Sequence, residues 1–263
     1  MIANYHRPAT LDAALGLLGR SNIQSIPIGG GTTLSQLNAE GIEIVDLQAL
    51  GLNQVEQRGN QINLGATLTL QALSEMDVIS PALRSAAQHE TSFNLRQAGT
   101  LAGTLVACDG RSPLAAAMLA IDAQLVLISA LDRNSEILSY GEILPLRKTH
   151  LEKRLITQII IPGNVRLEVD MVGRTSKDWP VIGVAVAQWP SGRTRITLMG
   201  FGATPHLAMD GPEPGGAIEA VQFACDTASD EWATAEYRKA AARVLVERAM
   251  TRISNESQAS EDK

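Results

Sequence analysis

Near the start of the chain apolar residues recur at Leu11, Ala14, Leu15 and Leu18, one face of a helix, and Thr10 stands where a side-chain oxygen caps the first turn. A buried strand is predicted at Gln24 to Ile28, followed by the turn Gly29-Gly30-Gly31-Thr32-Thr33. A short helix over Leu34 to Glu40, ended by Gly41, then leads to a second strand at Ile42 to Asp46. The pattern is that of a small βαβ-like unit with its glycine turn between strand and helix.

Further on, Gln54 to Gln57 and Gln61 to Leu64 flank Arg58-Gly59-Asn60 and predict a short hairpin. Ser80-Pro81 and Ser112-Pro113 each start a helix, through Leu83, Ala86 and Ala87 and through Ala117, Met118 and Ile121, because proline is tolerated in a first turn. Between them lies a second glycine-rich turn, Gly99-Thr100-Leu101-Ala102-Gly103-Thr104. Strand character resumes at Gln124 to Ile128 and at Leu155 to Ile161, closed by Pro162. Val181 to Gln188 and Arg193 to Met199 form a second hairpin through Pro190-Ser191-Gly192. Thr204 to Gly216, with three prolines and three glycines, reads as an exposed loop. The longest helical signal is Glu231 to Ile253, with Tyr237, Ala241, Val244, Leu245 and Arg248 on one side, and the polar end from Ser254 to Lys263 is expected to fray.

Composition narrows the function classes. The 263 residues suffice for two or three lobes with real cores, and 45% hydrophobic content fits a soluble globular protein. A net charge of −6 without a long Lys/Arg run argues against a nucleic-acid binder. No secretory signal opens the chain and no apolar run is long enough to span a membrane. Only Cys108 and Cys225 are present, which excludes a disulfide framework or a four-thiolate cluster from this chain alone and points to a reducing cytoplasm. His6, His89, His150 and His206 show no metal-ligand spacing, so no metal site is expected.

The two glycine turns therefore hold the candidate chemistry. Each offers consecutive small residues whose amides can face one anion without side-chain obstruction. A dinucleotide fingerprint after Gly29 and Gly31 needs glycine at position 34, where Leu34 stands, and no Gly-Lys-Ser/Thr follows either turn. Taken singly, each turn is more often a tight turn than a ligand site; the two together point to a diphosphate held from two sides.

The chain resembles the FAD-binding, medium subunit of the molybdenum hydroxylases, the family of carbon monoxide dehydrogenase and xanthine dehydrogenase flavoproteins. Arg7-Pro8-Ala9-Thr10-Leu11-Asp12-Ala13-Ala14 is similar to the family's opening helix, and Gly29-Gly30-Gly31-Thr32-Thr33-Leu34 to its first loop. Leu64-Gly65-Ala66-Thr67 resembles the next strand, Leu95 to Leu105 the second loop, and Ala233-Thr234-Ala235-Glu236-Tyr237-Arg238-Lys239 the last helix. The resemblance implies an α+β fold: a two-lobed FAD-binding domain of the PCMH type, lobes 1–53 and 54–162, and a C-terminal lobe, 163–263, with an antiparallel sheet packed on helices. It implies FAD held by Ile28, Gly29, Gly30, Gly31, Thr32 and Thr33 of the first loop and by Gly99, Thr100, Leu101, Ala102, Gly103 and Thr104 of the second, with Leu155 set against the flavin. Partners would be an iron–sulfur subunit and a molybdenum cofactor subunit, the chain passing their electrons to an external acceptor with no hydroxylation site of its own. The alternative is a non-catalytic scaffold or assembly protein of the same fold that has lost flavin binding.

Departures from the family pattern weaken the expected grip. Ala102 stands for a usual glycine, Thr104 for asparagine or serine, Pro113 for an FAD-contacting aspartate, and Asp170 or Met171 near a flavin-side lysine. If position 102 needs positive φ, alanine is strained there. On this reading, Ala102→Gly, Thr104→Asn and Pro113→Asp together tighten FAD binding.

Overall fold

Thr10 caps the first helix as its position predicts, its hydroxyl accepting from the Ala13 amide at 3.3 Å. In the computed structural model, residues 2–33, 41–175 and 178–261 are described. The chain divides into two units: Met1–Leu73, Ser92–Ala107 and Ala123–Ile161 make up the first, Ser74–Thr91, Cys108–Asp122 and Pro162–Lys263 the second.

The first unit opens with strand β1 (Ile2–His6), helix α1 (Leu11–Leu18), β2 (Ser25–Ile28) and β3 (Ile42–Asp46). Both β1 and β2 run parallel to the central β3, which is buried along its whole length. Ala14, Leu15 and Leu18 of α1 pack on Val45, Leu47, Ala130 and Leu155. The parallel pair β2–β3 is the βαβ-like unit read from the sequence; its expected helix, Leu34 to Glu40, lies outside the described residues. β4 (Val55–Arg58) and β5 (Gln61–Gly65) form the predicted hairpin, with Gly59 at φ 58° in its turn. Helices α2 (Leu70–Glu75), α3 (Pro81–Glu90), α4 (Phe93–Ala98), α5 (Leu101–Ala107) and α6 (Pro113–Ala120) follow, of which α4 and α5 belong to the first unit and α3 and α6 to the second. β6 (Gln124–Ser129), β7 (Ser135–Ser139) and, after short helices α7 (Tyr140–Ile143) and α8 (Arg147–His150), β8 (Arg154–Pro162) complete a five-stranded sheet ordered β4-β5-β8-β6-β7. Tyr140 is buried and its hydroxyl donates to the Leu105 carbonyl at 3.0 Å, fixing α5.

The second unit is built on an antiparallel sheet ordered β12-β11-β10-β9, from β9 (Arg166–Val172), β10 (Ile182–Gln188), β11 (Thr194–Met199) and β12 (His206–Gly211). Ile182, Val184, Val186, Ile196 and Leu198 face helices α9 (Ala217–Ala224) and α10 (Ala235–Glu261). The other face presents Gly183, Ala185 and Ala187, and it accommodates α6, all eight of whose residues are buried, as expected of a helix apolar on every side. Arg195, buried, pairs with Asp122 just beyond α6. Arg238 is wholly buried on α10 and donates to the carbonyls of Val181, Ala228 and Gly200 and to Asp230.

Three expectations are corrected here. Thr204 to Gly216 is not simply loop, since it contains the edge strand β12. The last helix does not end at Ile253 but runs to Glu261. Its buried stripe is Arg238, Ala242, Leu245, Val246, Ala249 and Ile253, whereas Tyr237 and Val244 are 47% and 48% exposed.

Candidate functional site

Gly29, Gly30 and Gly31 leave the end of β2 and turn across the junction of α4 and α5. A Cβ at Gly30 would lie 1.7 Å from the Ala98 carbonyl oxygen, and one at Gly29 would lie 2.3 Å from Thr100 Oγ1. The two glycine turns are thus in backbone contact, and only glycine permits it. Gly31 has φ 66°, the left-handed conformation that glycine adopts without strain. Gln48 holds the turn through its side-chain amide, which donates to the Gly29 carbonyl at 3.2 Å.

The amides of Gly30, Gly31, Thr32 and Thr33 donate to no other described residue, so the first turn is an open row of donors. The second turn is more closed than its sequence predicts. Leu101 and Ala102 already donate to the carbonyls of Leu68 at 2.8 Å and Ala66 at 3.1 Å, and Gly99 donates to Leu95 at 2.7 Å. The Thr100 hydroxyl remains, wedged where a Cβ on Gly103 would come within 2.8 Å of it.

A cleft of about 1250 Å³ in the first unit gathers most of the expected residues: Ile28, Gly29, Gly30, Gly31, Thr32 and Thr33 from the first turn, then Thr100, Ala102 and Gly103. Gly99, Leu101 and Thr104 do not border it. Leu155 does, although it is 2% exposed and packs into the core beneath α1. Ala102 lies inside α5 without positive φ, so the strain considered for it does not arise. Amides of two glycines and two threonines with no described partner, bordering a cavity of cofactor size, fit an anionic diphosphate-bearing group.

Sequence reasoning missed the cations of this cleft. Among the described residues Arg20, Arg147, Lys148, Lys153 and Arg154 border it against a single carboxylate, Glu152. The signal was present in Arg147-Lys148-Thr149-His150-Leu151-Glu152-Lys153-Arg154, the densest basic stretch of an acidic chain.

Pro113 belongs to the second unit and is a buried first-turn residue of α6. Glu90 serves the end of that helix: its Oε2 accepts from Ser112 Oγ at 2.9 Å and from the Leu114 amide at 3.0 Å. Burial pushes the Glu90 carboxyl up to about 7, with nearby Asp109 acting in the same direction against those two bonds. Asp170 lies on the α10 face of the sheet and is paired with Arg248 at 3.3 Å and Arg252 at 3.2 Å, so it presents no uncompensated negative charge. Among the described residues no group of histidine, cysteine, aspartate and glutamate is arranged to hold a metal, and no helix is long and apolar enough to cross a membrane.

Residues 1–164 match the sequence pattern of the family described as FAD binding domain in molybdopterin dehydrogenase. The chain belongs to that family. Its relatives include the Escherichia coli (strain K12) protein YgfM, 31% identical over 76% of this chain and 75% of that protein. The carbon monoxide dehydrogenase medium chain of Hydrogenophaga pseudoflava is 26% identical over 94% of this chain and 95% of its own length. Among solved structures, reconstituted CO dehydrogenase from Oligotropha carboxidovorans superposes with a TM-score of 0.79 at 24% identity, over 95% of this chain and 96% of that one. The family fold is the α+β arrangement expected: a PCMH-type FAD-binding lobe and a C-terminal lobe of sheet and helices.

Proposed function

We propose that this chain binds FAD in the cleft of its first unit and acts as the electron-transfer flavoprotein of a molybdenum hydroxylase complex. The observation that carries the reading is the row of amides from Gly30 to Thr33 that donate to no other described residue, in a turn that needs glycine at Gly30 for close approach and at Gly31 for its left-handed φ, in a family defined by FAD binding. Ile28 to Thr33, with Thr100, Ala102 and Gly103, hold the diphosphate, and Leu155 with Ile156 borders the space for the ring. Gly99, Leu101 and Thr104 support the second turn from behind. Bound there, FAD supplies reversible electron storage, while the chain supplies position and electrostatics. On this reading 1–53 and 54–162 are the two FAD-binding lobes and 163–263 the C-terminal domain, with Ser74–Thr91 and Cys108–Asp122 of the second lobe clustering with the C-terminal residues in the second unit.

The electron donor is an iron–sulfur subunit fed by a molybdenum cofactor subunit, and the acceptor is external. These partners are proposed from the kinship with carbon monoxide dehydrogenase medium chains. Cys108 and Cys225, both buried and joined in no disulfide, suit a reducing cytoplasm. A second reading, a scaffold of the same fold without flavin, is favoured by one observation: the Leu101 and Ala102 amides are already occupied by backbone carbonyls. Purification from the native host separates the two. Visible flavin absorbance that releases FAD on denaturation supports the electron-transfer reading, and colourless protein that takes up no FAD supports the scaffold.

A further inference from the structure

We propose that Lys148 and Lys153 are the counter-charges for the FAD diphosphate, replacing cations that neither glycine turn contains. The inference rests on the FAD reading above and names the residues that make it electrostatically workable.

The chain carries a net charge of −6, and neither turn includes a basic residue, so a dianionic diphosphate approaching the first turn meets hydrogen-bond donors but no positive charge there. The second turn adds little, because its helical amides at Leu101 and Ala102 already bond Leu68 and Ala66. Positive charge comes instead from the segment 147–154 and from Arg20. Three of these five cations are committed elsewhere. Arg20 pairs with Glu43 at 3.0 Å, Arg154 pairs with Glu136, and Arg147 donates to the carbonyls of Val106 and Leu144, each at 2.9 Å.

Lys148 and Lys153 are left. Lys148 has no hydrogen-bond or ion-pair partner among the described residues, and the ammonium of Lys153 has only Ser21 Oγ, at 3.4 Å. Lys153 also sits at φ 51°, a left-handed conformation rare for a side chain of this kind. Its carbonyl accepts from the Ala130 amide at 2.8 Å, which holds that conformation in place at the edge of the cleft. An ammonium is a compact point charge on a flexible stem, suited to reach a phosphate whose register is set by backbone amides.

The test is titration of apoprotein with FAD and, separately, with uncharged riboflavin, followed by flavin fluorescence at low and high salt. Wild type, Lys148→Gln, and the double variant Lys148→Gln with Lys153→Gln are compared. Expected is FAD binding about two- to fivefold weaker in the single variant and about five- to twentyfold weaker in the double variant at low salt. The salt dependence seen in wild type should flatten in the double variant, and riboflavin binding should be unchanged. Equal FAD affinity and equal salt dependence in wild type and variants overturns the inference while leaving the FAD reading intact, as does parallel loss of riboflavin binding. Wild-type protein that takes up no FAD overturns the FAD reading itself and the inference with it. Lys148 is exposed, so the single variant keeps the test decisive if the double variant unfolds.

Discussion

Gly30 and Gly103 looked equivalent from the sequence, as two glycines that let a diphosphate approach, but their surroundings differ. A side chain at Gly30 collides with the Ala98 carbonyl and the Gly99 amide, backbone atoms that cannot swing aside. At Gly103 the nearest obstacle is the Thr100 hydroxyl, which can rotate. Gly30→Val should therefore lose flavin retention and cost about 1–3 kcal/mol of stability from overpacking, while Gly103→Val should retain most of the stability. Chemical denaturation and flavin content of the two variants check this; equal stabilities would contradict the turn-on-turn packing. The departures from the family pattern also change meaning. Pro113→Asp would bury a second carboxylate beside Glu90, so a destabilisation of about 2–4 kcal/mol is expected in place of tighter FAD binding. Ala102→Gly relieves no strain and should weaken α5 by about 1 kcal/mol. Denaturation of the single variants is the measurement, and a gain in either contradicts the placement.

Helix α6 shows how a buried element can bring a titrating group with it. Its first turn is bonded by Glu90 at the end of α3, whose carboxyl is raised from 4.5 to about 7, mainly by burial. An acid whose folded pKa lies above its unfolded one contributes stability that is complete below about 4.5 and is lost as pH rises through about 7. The expected loss across that window is about 2–4 kcal/mol. Both bonds reach the same oxygen, so the glutamine amide of Glu90→Gln can keep them without titrating. Denaturation at pH 5 and pH 8 should show a smaller difference for Glu90→Gln than for wild type, and equal differences would remove Glu90 from this role. Elements whose apolar residues form a strong repeat were legible in sequence: α1, the two hairpins, β3 and the start of α6. Of the edge strands, β2 and β4 were marked by the glycine turns that follow them, whereas β1, β7, β9 and β12 were not read, because an edge buries few side chains and leaves no clear alternation. The buried face of α10 was misread because its anchor is a charged residue, Arg238, whose guanidinium is held by carbonyls and by Asp230 and lies over the Phe201 ring.

On the scale of the whole molecule, the described residues of an acidic chain place five cations against one carboxylate around the cleft of the first unit. The glycine turns could be read in advance because glycine clusters stand out along the chain. The basic run 147–154 was visible too, but its place beside the glycine turns, together with Arg20, comes only from folding. The proposed electron-transfer role requires a donor, so on that reading the native species should be a hetero-oligomer. Co-purification from the native host with an iron–sulfur and a molybdenum subunit is the expected outcome, and recovery only as a free monomer with flavin and independent turnover would contradict it. The most direct measurement of the central claim is the flavin content of the purified chain together with FAD titration of its apoprotein. The account predicts one FAD per chain, released on denaturation and rebound by wild type but not by Gly30→Val. Wild-type protein that is flavin-free and takes up no FAD while folded would contradict it.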